Sequence, residues 1–435
     1  MGDLIFPTLD LFLYDLKDAL NSTEAERQEN QADFRSKLPA EIQLLDNELE
    51  SEYLELLPKD KYSDFTSADK KLEGYYYPVR INDTYGLQID CSINNQTEPQ
   101  AADSFALLKA EIEARLQGKA ATIGQTWMLS GWLPETSSQS YAEIAQSCYQ
   151  HFQKTANWSE DLQAEGSLFG GKLFELWRYQ PQNQENCHVI IIIFPNGESM
   201  EKAAELYTDW MGLWSYRNKI TWAYSQSRFI KESLVSYYKQ SETNQRIISD
   251  PKSSSLSEKK IGAKLNEVQK FLVNYSVDLP KLNFQKQVIE INLGNYQTRL
   301  EIIKQKVGVD NHLECLETFS QAVEQKYLLQ VTKDHENMEI ALRLLEANLN
   351  AIRSQIELEK AERDRSFQNI VTLVGAGTAV TALIDFEGKQ CKAISELTPD
   401  SFKCENPWLN NVIVPIGLIV IFGVIALSLK KVLFR

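Results

Sequence analysis

Polar and small side chains inside an otherwise apolar run are the residues of this sequence with a chemistry to explain. From Ser366 to Ile384 no charged residue occurs, yet the run holds Gln368, Asn369, Thr372, Thr378 and Thr381, with Gly375 and Ala379 four apart and Gly377 between them. At about 100° per residue, Gln368, Thr372, Gly375 and Ala379 share one side of a helix. The Gly-x-x-x-Ala step permits close backbone approach. Amide and hydroxyl groups on that side either bond neighbouring helices or line a narrow polar path. Asp385 and Glu387 follow the run and place two carboxylates at its mouth, where an oligomer would arrange them as acidic rings. Cys391 and Cys404 lie in the short stretch after that; either a disulfide closes the loop in an oxidising compartment, or they are two ordinary small residues.

Other chemistry is sparse. There is no Walker loop, no His-Glu-x-x-His, no Cys-x-x-Cys and no serine in a nucleophile elbow. His151, His188, His312 and His335 are far apart and none has the local spacing of a metal pair. His335 falls on a helical seam, where it would fix register, sense pH or stand as an ordinary half-exposed histidine. Trp210, Trp214 and Trp222 with Tyr207, Tyr216 and Tyr224 form an aromatic cluster that reads as helix-to-sheet packing or a ligand pocket. The acidic run from Asp46 to Glu55 reads as the wet face of an amphipathic helix. No catalytic residue, cofactor motif or enzyme activity is assigned.

The elements that must position these residues follow from periodicity. Apolar residues at Leu328, Val331, Met338, Leu342, Leu345, Leu349, Ile352 and Ile356 step by threes and fours, the seam of a coiled coil or bundle helix. With no proline or glycine from Val309 to Val374, the spacing predicts one stalk helix from about Asn311 to Ile384, on the order of 110 Å long. That stalk runs into a first apolar span (366–386), an external loop (387–407), a second span (408–429) and a basic tail (430–435). Upstream, residues 1–60 read as helices, with a Thr23/Glu26 capping box, a stop at Pro39 and a second helix over Ala40–Leu57.

Residues 61–247 read as an α/β domain. GYYYPVRI and YGLQIDCSI flank Asn82-Asp83-Thr84 as a hairpin. A helix over Ala101–Leu116, a strand over Thr122–Leu133 and a helix capped by Ser140 and Glu143 come next. The strands Lys172–Tyr179 and His188–Phe194 then precede a helix over Glu198–Trp214. HVIIIIF is apolar on both faces and predicts a central strand covered on both sides. The pattern leaves open whether the sheet is parallel or mixed. A Ser-rich linker (248–259) leads to the helical region 260–365, broken near Pro280.

Charge narrows the partners. A formal net charge of −15 over 435 residues, with no compact Lys/Arg patch, argues against nucleic acid. The start of the chain has acidic residues where a secretory signal would be basic. Arg363 and Arg365 before the first span, and Lys430, Lys431 and Arg435 after the second, favour both termini on the cytoplasmic side of an inner or plasma membrane.

This layout resembles the CorA-type divalent-cation transporter superfamily over the order of nearly the whole chain. The resemblance is architectural: the Gly-x-Asn motif of that family is missing, and the corresponding region reads Ala382-Leu383-Ile384-Asp385-Phe386-Glu387-Gly388. It implies a homo-oligomer, a pentamer in that family, in the lipid bilayer. It further implies that Gln368, Asn369, Thr372, Gly375 and Ala379 line the path of a cation, a divalent one in that family, gated by the cytoplasmic domain. The expected fold is an α+β membrane protein: a cytoplasmic α/β domain with helical additions, a long stalk helix and a two-span hairpin. The alternative is a membrane-anchored sensor, scaffold or effector without selective transport.

Overall fold

Strand structure begins at the N-terminus, where the sequence reading placed helices. The computed structural model describes residues 3–19, 22–45, 51–135, 137–180, 185–249 and 258–360. In it β1 (Asp3–Leu16) buries Leu9, Leu11 and Leu13 on one face and Asp10, Phe12 and Tyr14 on the other. A strand covered on both faces has no polar side, so its period-2 signal is faint. The Thr23/Glu26 capping box forms as expected and starts α1 (Glu24–Ser36). The second expected helix, over Ala40–Leu57, is corrected in its described residues, which form a turn and the short strand β2 (Tyr53–Glu55); residues 46–50 lie outside them.

β3 (Ser63–Thr66), β4 (Leu72–Ile81), β5 (Thr84–Ile93) and β6 (Pro99–Ala101) follow, with the β4–β5 turn where the sequence placed it. Next come α2 (Ser104–Leu116), β7 (Gly124–Trp132), α3 (Tyr141–Phe152), begun by the Ser140/Glu143 box, and the single turn α4 (Trp158–Asp161). β8 (Leu162–Leu168), β9 (Gly171–Gln180) and β10 (Glu185–Phe194) complete the strands. They form one 10-stranded sheet of order β2-β4-β5-β1-β7-β10-β9-β8, with β3 on β4 and β6 on β1. β10 lies parallel to β7, and the remaining pairs are antiparallel. The sheet is therefore mixed. β10 is central and its Val189–Phe194 segment is buried throughout, as its two-faced apolarity required.

The helices of the second half are α5 (Gly197–Ala204), α6 (Tyr207–Ser249), α7 (Glu258–Val307), α8 (Glu317–Ala322) and α9 (Leu329–Lys360). One side of the sheet packs Leu9, Leu11, Leu87, Ile89 and Ile191 against Phe105, Leu108 and Ile112 of α2 and Ile144 of α3. The chain divides into two units: residues 1–229 with 283–333, and residues 230–282 with 334–435. Within the second unit the later part of α6, the earlier part of α7 and α9 bury Leu234, Leu265, Leu272, Leu345, Leu349 and Ile352. Tyr275 Oη donates to the Met338 carbonyl at 2.8 Å, tying α7 to α9.

Several expectations are corrected. α7 continues through Pro280, the buried Leu279 and Leu282 on either side holding it in place of the expected break. The single stalk from Asn311 does not form. His312 pairs with Ser167 at a sheet edge, and a 3-10 turn (Glu314–Leu316), α8 and a π turn (Val323–Leu328) precede α9. Among the described residues the fold is thus a mixed α+β arrangement on an open sheet, in place of the expected α/β domain with a continuous stalk.

Among the described residues no helix is long and apolar enough to cross a membrane. Their long helices carry charge along their length, as in the Lys231, Glu232, Lys239 and Glu242 series of α6, which a bilayer core does not accommodate. The bilayer partner and multi-pass localisation are corrected to this extent: no described residue supports them. The candidate pore residues Gln368, Asn369, Thr372, Gly375 and Ala379, and the mouth residues Asp385 and Glu387, lie outside the described residues, as do both segments read as spans. Cys391 and Cys404 lie outside them as well; among the described residues Cys91, Cys148 and Cys315 are free thiols and no disulfide is found.

Candidate functional site

Side chains alternate across a strand, so the residues of β1 that do not join the leucine core must face α6. Register extends that alternation across the sheet. One row reads Tyr75, Asp90, Asp10, Met128, Ile190, Glu175 on β4, β5, β1, β7, β10 and β9. The adjacent row reads Tyr77, Gln88, Phe12, Thr126, His188, Trp177. Each row is polar toward both ends and apolar between. Two polar clusters therefore lie under α6, and both belong to the first unit.

The first cluster is a pair of carboxyl groups. Asp10 and Asp90 stand directly opposite each other on β1 and β5. Asp10 is fully buried and Asp90 nearly so. Gln88 Nε2 donates to Asp10 Oδ1 at 2.8 Å, and Tyr207 Oη donates to Asp10 Oδ2 at 2.8 Å. The Tyr207 ring stacks on Phe12, with centroids 6.2 Å apart. Burial raises the Asp10 carboxyl to about 7, against the pull of the hydrogen bonds from Gln88, Tyr207 and Asp90. Burial, and then the Asp10 charge, raise Asp90 well above the carboxylate range.

The second cluster is a relay. Asn218 Nδ2 donates to Thr126 Oγ1 at 2.9 Å, Thr126 Oγ1 is 2.9 Å from His188 Nδ1, and His188 Nε2 is 3.2 Å from Glu175 Oε1. Burial, helped by the Arg217 charge, lowers His188 to about 4, so the ring is neutral at pH 7. A neutral ring with its proton on Nε2 satisfies the whole line: Asn218 donates to Thr126, Thr126 to Nδ1, and Nε2–H to Glu175. Arg217 is fully buried with its Nε 3.5 Å from Glu175 Oε1, and burial lowers its pKa. Its guanidinium carbon lies 4.5 Å from the Phe319 ring centroid and 5.1 Å from that of Trp177. Those ring faces supply attraction that a hydrogen bond otherwise would.

Helix α6 closes over both clusters. Tyr14 Oη donates to the Met211 carbonyl at 2.8 Å, and the Trp214 ring meets His188 edge-on at 5.1 Å. Gly86 allows the close approach: a Cβ there would lie 2.9 Å from Val79 Cγ2 and 3.3 Å from Met211 Sδ. The next helix is clamped on by Asp209, which receives Arg299 at 3.2 Å and Lys306 at 2.6 Å. Thr126, His188 and Glu175 have the residue types of a nucleophile, base and orienting acid, but all three are sealed. The arrangement binds α6; it does not present a nucleophile to solvent.

Sequence reasoning did not single out Asp10, Asp90, Thr126, Glu175, Asn218 or Arg217. It noted His188 only as one scattered histidine. A readable signal existed: isolated polar residues inside otherwise apolar strands, as in TWMLS, FELW and HVIII. The aromatic cluster resolves as packing for Trp210 and Trp214, which are buried and stacked at 5.3 Å. Among the described residues no group of three or more histidine, cysteine or acidic side chains is placed to hold a metal ion.

No protein-family model, no curated protein and no solved structure matches this chain. The CorA-type resemblance is corrected on that finding together with the mixed open sheet and the interrupted stalk. The channel function and its transported cation were implied by that resemblance and fall with it.

Proposed function

We propose that this chain is a conformational sensor or scaffold, in which ionisable contacts hold α6 on the sheet and the seating of that helix is what changes. The observation that carries the reading is the closure of both polar clusters by one helix: Tyr207 on Asp10, Asn218 on Thr126 and Arg217 on Glu175. An apolar interface would hold α6 at lower cost, because buried ion pairs repay their desolvation poorly. What such contacts supply is a defined register and a docked state that a change of charge can bias. No turnover of a substrate is part of the proposal.

Native-state hydrogen exchange tests it. The protein is compared with an Arg217→Met/Glu175→Gln double variant, in which the introduced amide keeps an acceptor for His188. The expected result is that the α6 amides from Trp210 to Tyr224 open at lower free energy than those of β10, and that the double variant shifts α6 alone. If α6 and β10 exchange together in both proteins, α6 is not a separable element and the reading fails.

A further inference from the structure

Two carboxyl groups set face to face on neighbouring strands, away from water, form a binding site for a proton. Asp10 and Asp90 are such a pair, and their side chains are within hydrogen-bonding reach of each other. The groups that face them are Gln88 on β5, Glu73 and Tyr75 on β4, and Tyr207 on α6; the β7 neighbour is Met128. None of these is a cation. Coulomb repulsion between two neighbouring anions in a weakly polar medium is large, and none of these described neighbours carries an opposite charge to relieve it. We propose that Asp10 and Asp90 share a proton at neutral pH, and that its release is the event that unseats the first turn of α6. This deepens the sensor reading and rests on it.

The atoms assign the roles. Asp10 accepts on both oxygens, from Gln88 and from Tyr207, which suits the ionised partner. Asp90 holds the proton and donates it to Asp10. When the proton leaves to solvent, Asp90 becomes a second anion beside the first and β1 and β5 repel at this position. Tyr207 is the one α6 residue bonded to the pair, so the repulsion acts where the helix begins.

The second cluster must be separated from this effect. His188 is neutral when folded and gains a proton on unfolding below its ordinary value. The carboxyl pair does the reverse over the same acidic range, so the two oppose each other there. Above about pH 6.5 the histidine is silent. The thiols of Cys91, Cys148 and Cys315, pushed up by burial, add a loss only as pH approaches 9, and they add it equally to wild type and variants, so the difference between the proteins reads the carboxyl pair.

The experiment is thermal unfolding from pH 6.5 to 9 for the wild-type chain, Asp90→Asn and Asp10→Asn, with hydrogen exchange of α6 at the two ends of that range. Wild type is expected to lose several degrees of Tm as pH rises and to lose protection in the first turns of α6. Asp90→Asn, which keeps a donor to Asp10 without a titrating proton, is expected to remove the slope below about pH 8 and leave only the loss from the buried thiols above it. Equal slopes in wild type and Asp90→Asn overturn the proton site, while separate opening of α6 at fixed pH would leave the sensor reading standing. A pH slope abolished by Asp90→Asn, but with α6 and β10 opening together, keeps the proton site and removes its link to α6. If the variants do not fold, infrared spectra of the wild type at pH 7 decide. A protonated-carboxyl stretch that disappears by pH 9, with loss of α6 protection, supports the proposal; its absence at pH 7 overturns it.

Discussion

Tyr207, the first residue of α6, donates its phenol to Asp10 in the middle of β1, 197 positions away along the chain, at 2.8 Å. The same ring stacks on Phe12. Tyr207→Phe keeps the stack and removes the donor, leaving Asp10 Oδ2 short of a partner. The expected loss is about 1–3 kcal/mol in denaturant unfolding at pH 8. It is smaller at pH 5, where Asp10 is protonated and tolerates the loss better. An equal loss at both values would mean that the bond does not depend on the charge of Asp10.

The acidic limb of stability is set by two opposing shifts. Asp10, raised to about 7 when folded, contributes stability that is complete below the ordinary value of 3.8 and is lost as pH rises through 7. His188, lowered to about 4, contributes stability that is present above 6.5 and is lost as pH falls through 4. Each corresponds to a slope of about 1.4 kcal/mol per pH unit, with opposite sign. Asp90, raised well above the carboxylate range, adds a second slope of the same sign as that of Asp10. Wild type is therefore expected to lose stability as pH rises from about 4.5 to about 6, two carboxyls outweighing one histidine. Asp10→Asn removes one of the two, so its profile is expected to be nearly flat over that interval, as chemical denaturation at half-unit steps would read.

Arg217 and Glu175 answer to a double-mutant cycle. Arg217→Met leaves the Glu175 charge sealed in the core and is expected to cost about 3–5 kcal/mol. Adding Glu175→Gln restores most of that loss, because the remaining amide still accepts from His188. Additive losses would show that the 3.5 Å separation carries no coupling.

Gly86 sets how closely α6 approaches the sheet. Gly86→Ala introduces a methyl group 2.9 Å from Val79 Cγ2 and 3.3 Å from Met211 Sδ. The expected cost is about 1–3 kcal/mol, with a smaller loss in a Gly86→Ala/Met211→Ala double variant than the two single losses summed.

Local chemistry was legible in the sequence wherever the determinant spans a few residues. The Thr23/Glu26 and Ser140/Glu143 capping boxes, the β4–β5 turn at Asn82 and the doubly covered strand ending in Phe194 all form where the sequence placed them. Such features are settled by neighbouring backbone groups, so their signal is local. β1 escaped because both its faces are buried and its leucines lack a polar alternation to mark the period.

Tertiary structure alone decided the rest. The helical seam after Asn311 fitted one continuous stalk, but pairing of His312 with Ser167 and packing of Phe319 and Val323 break it into shorter turns before α9. Asp10 meets Asp90, and Thr126 meets His188, through strand register between segments far apart in the chain. The sequence supplies each polar residue and its facing parity; only the order and register of the strands place like charges together and bring one helix down over both clusters. Composition and spacing therefore determined which elements form locally, while long-range pairing decided which of their side chains share a desolvated space, and it is desolvation that makes those side chains responsive to charge.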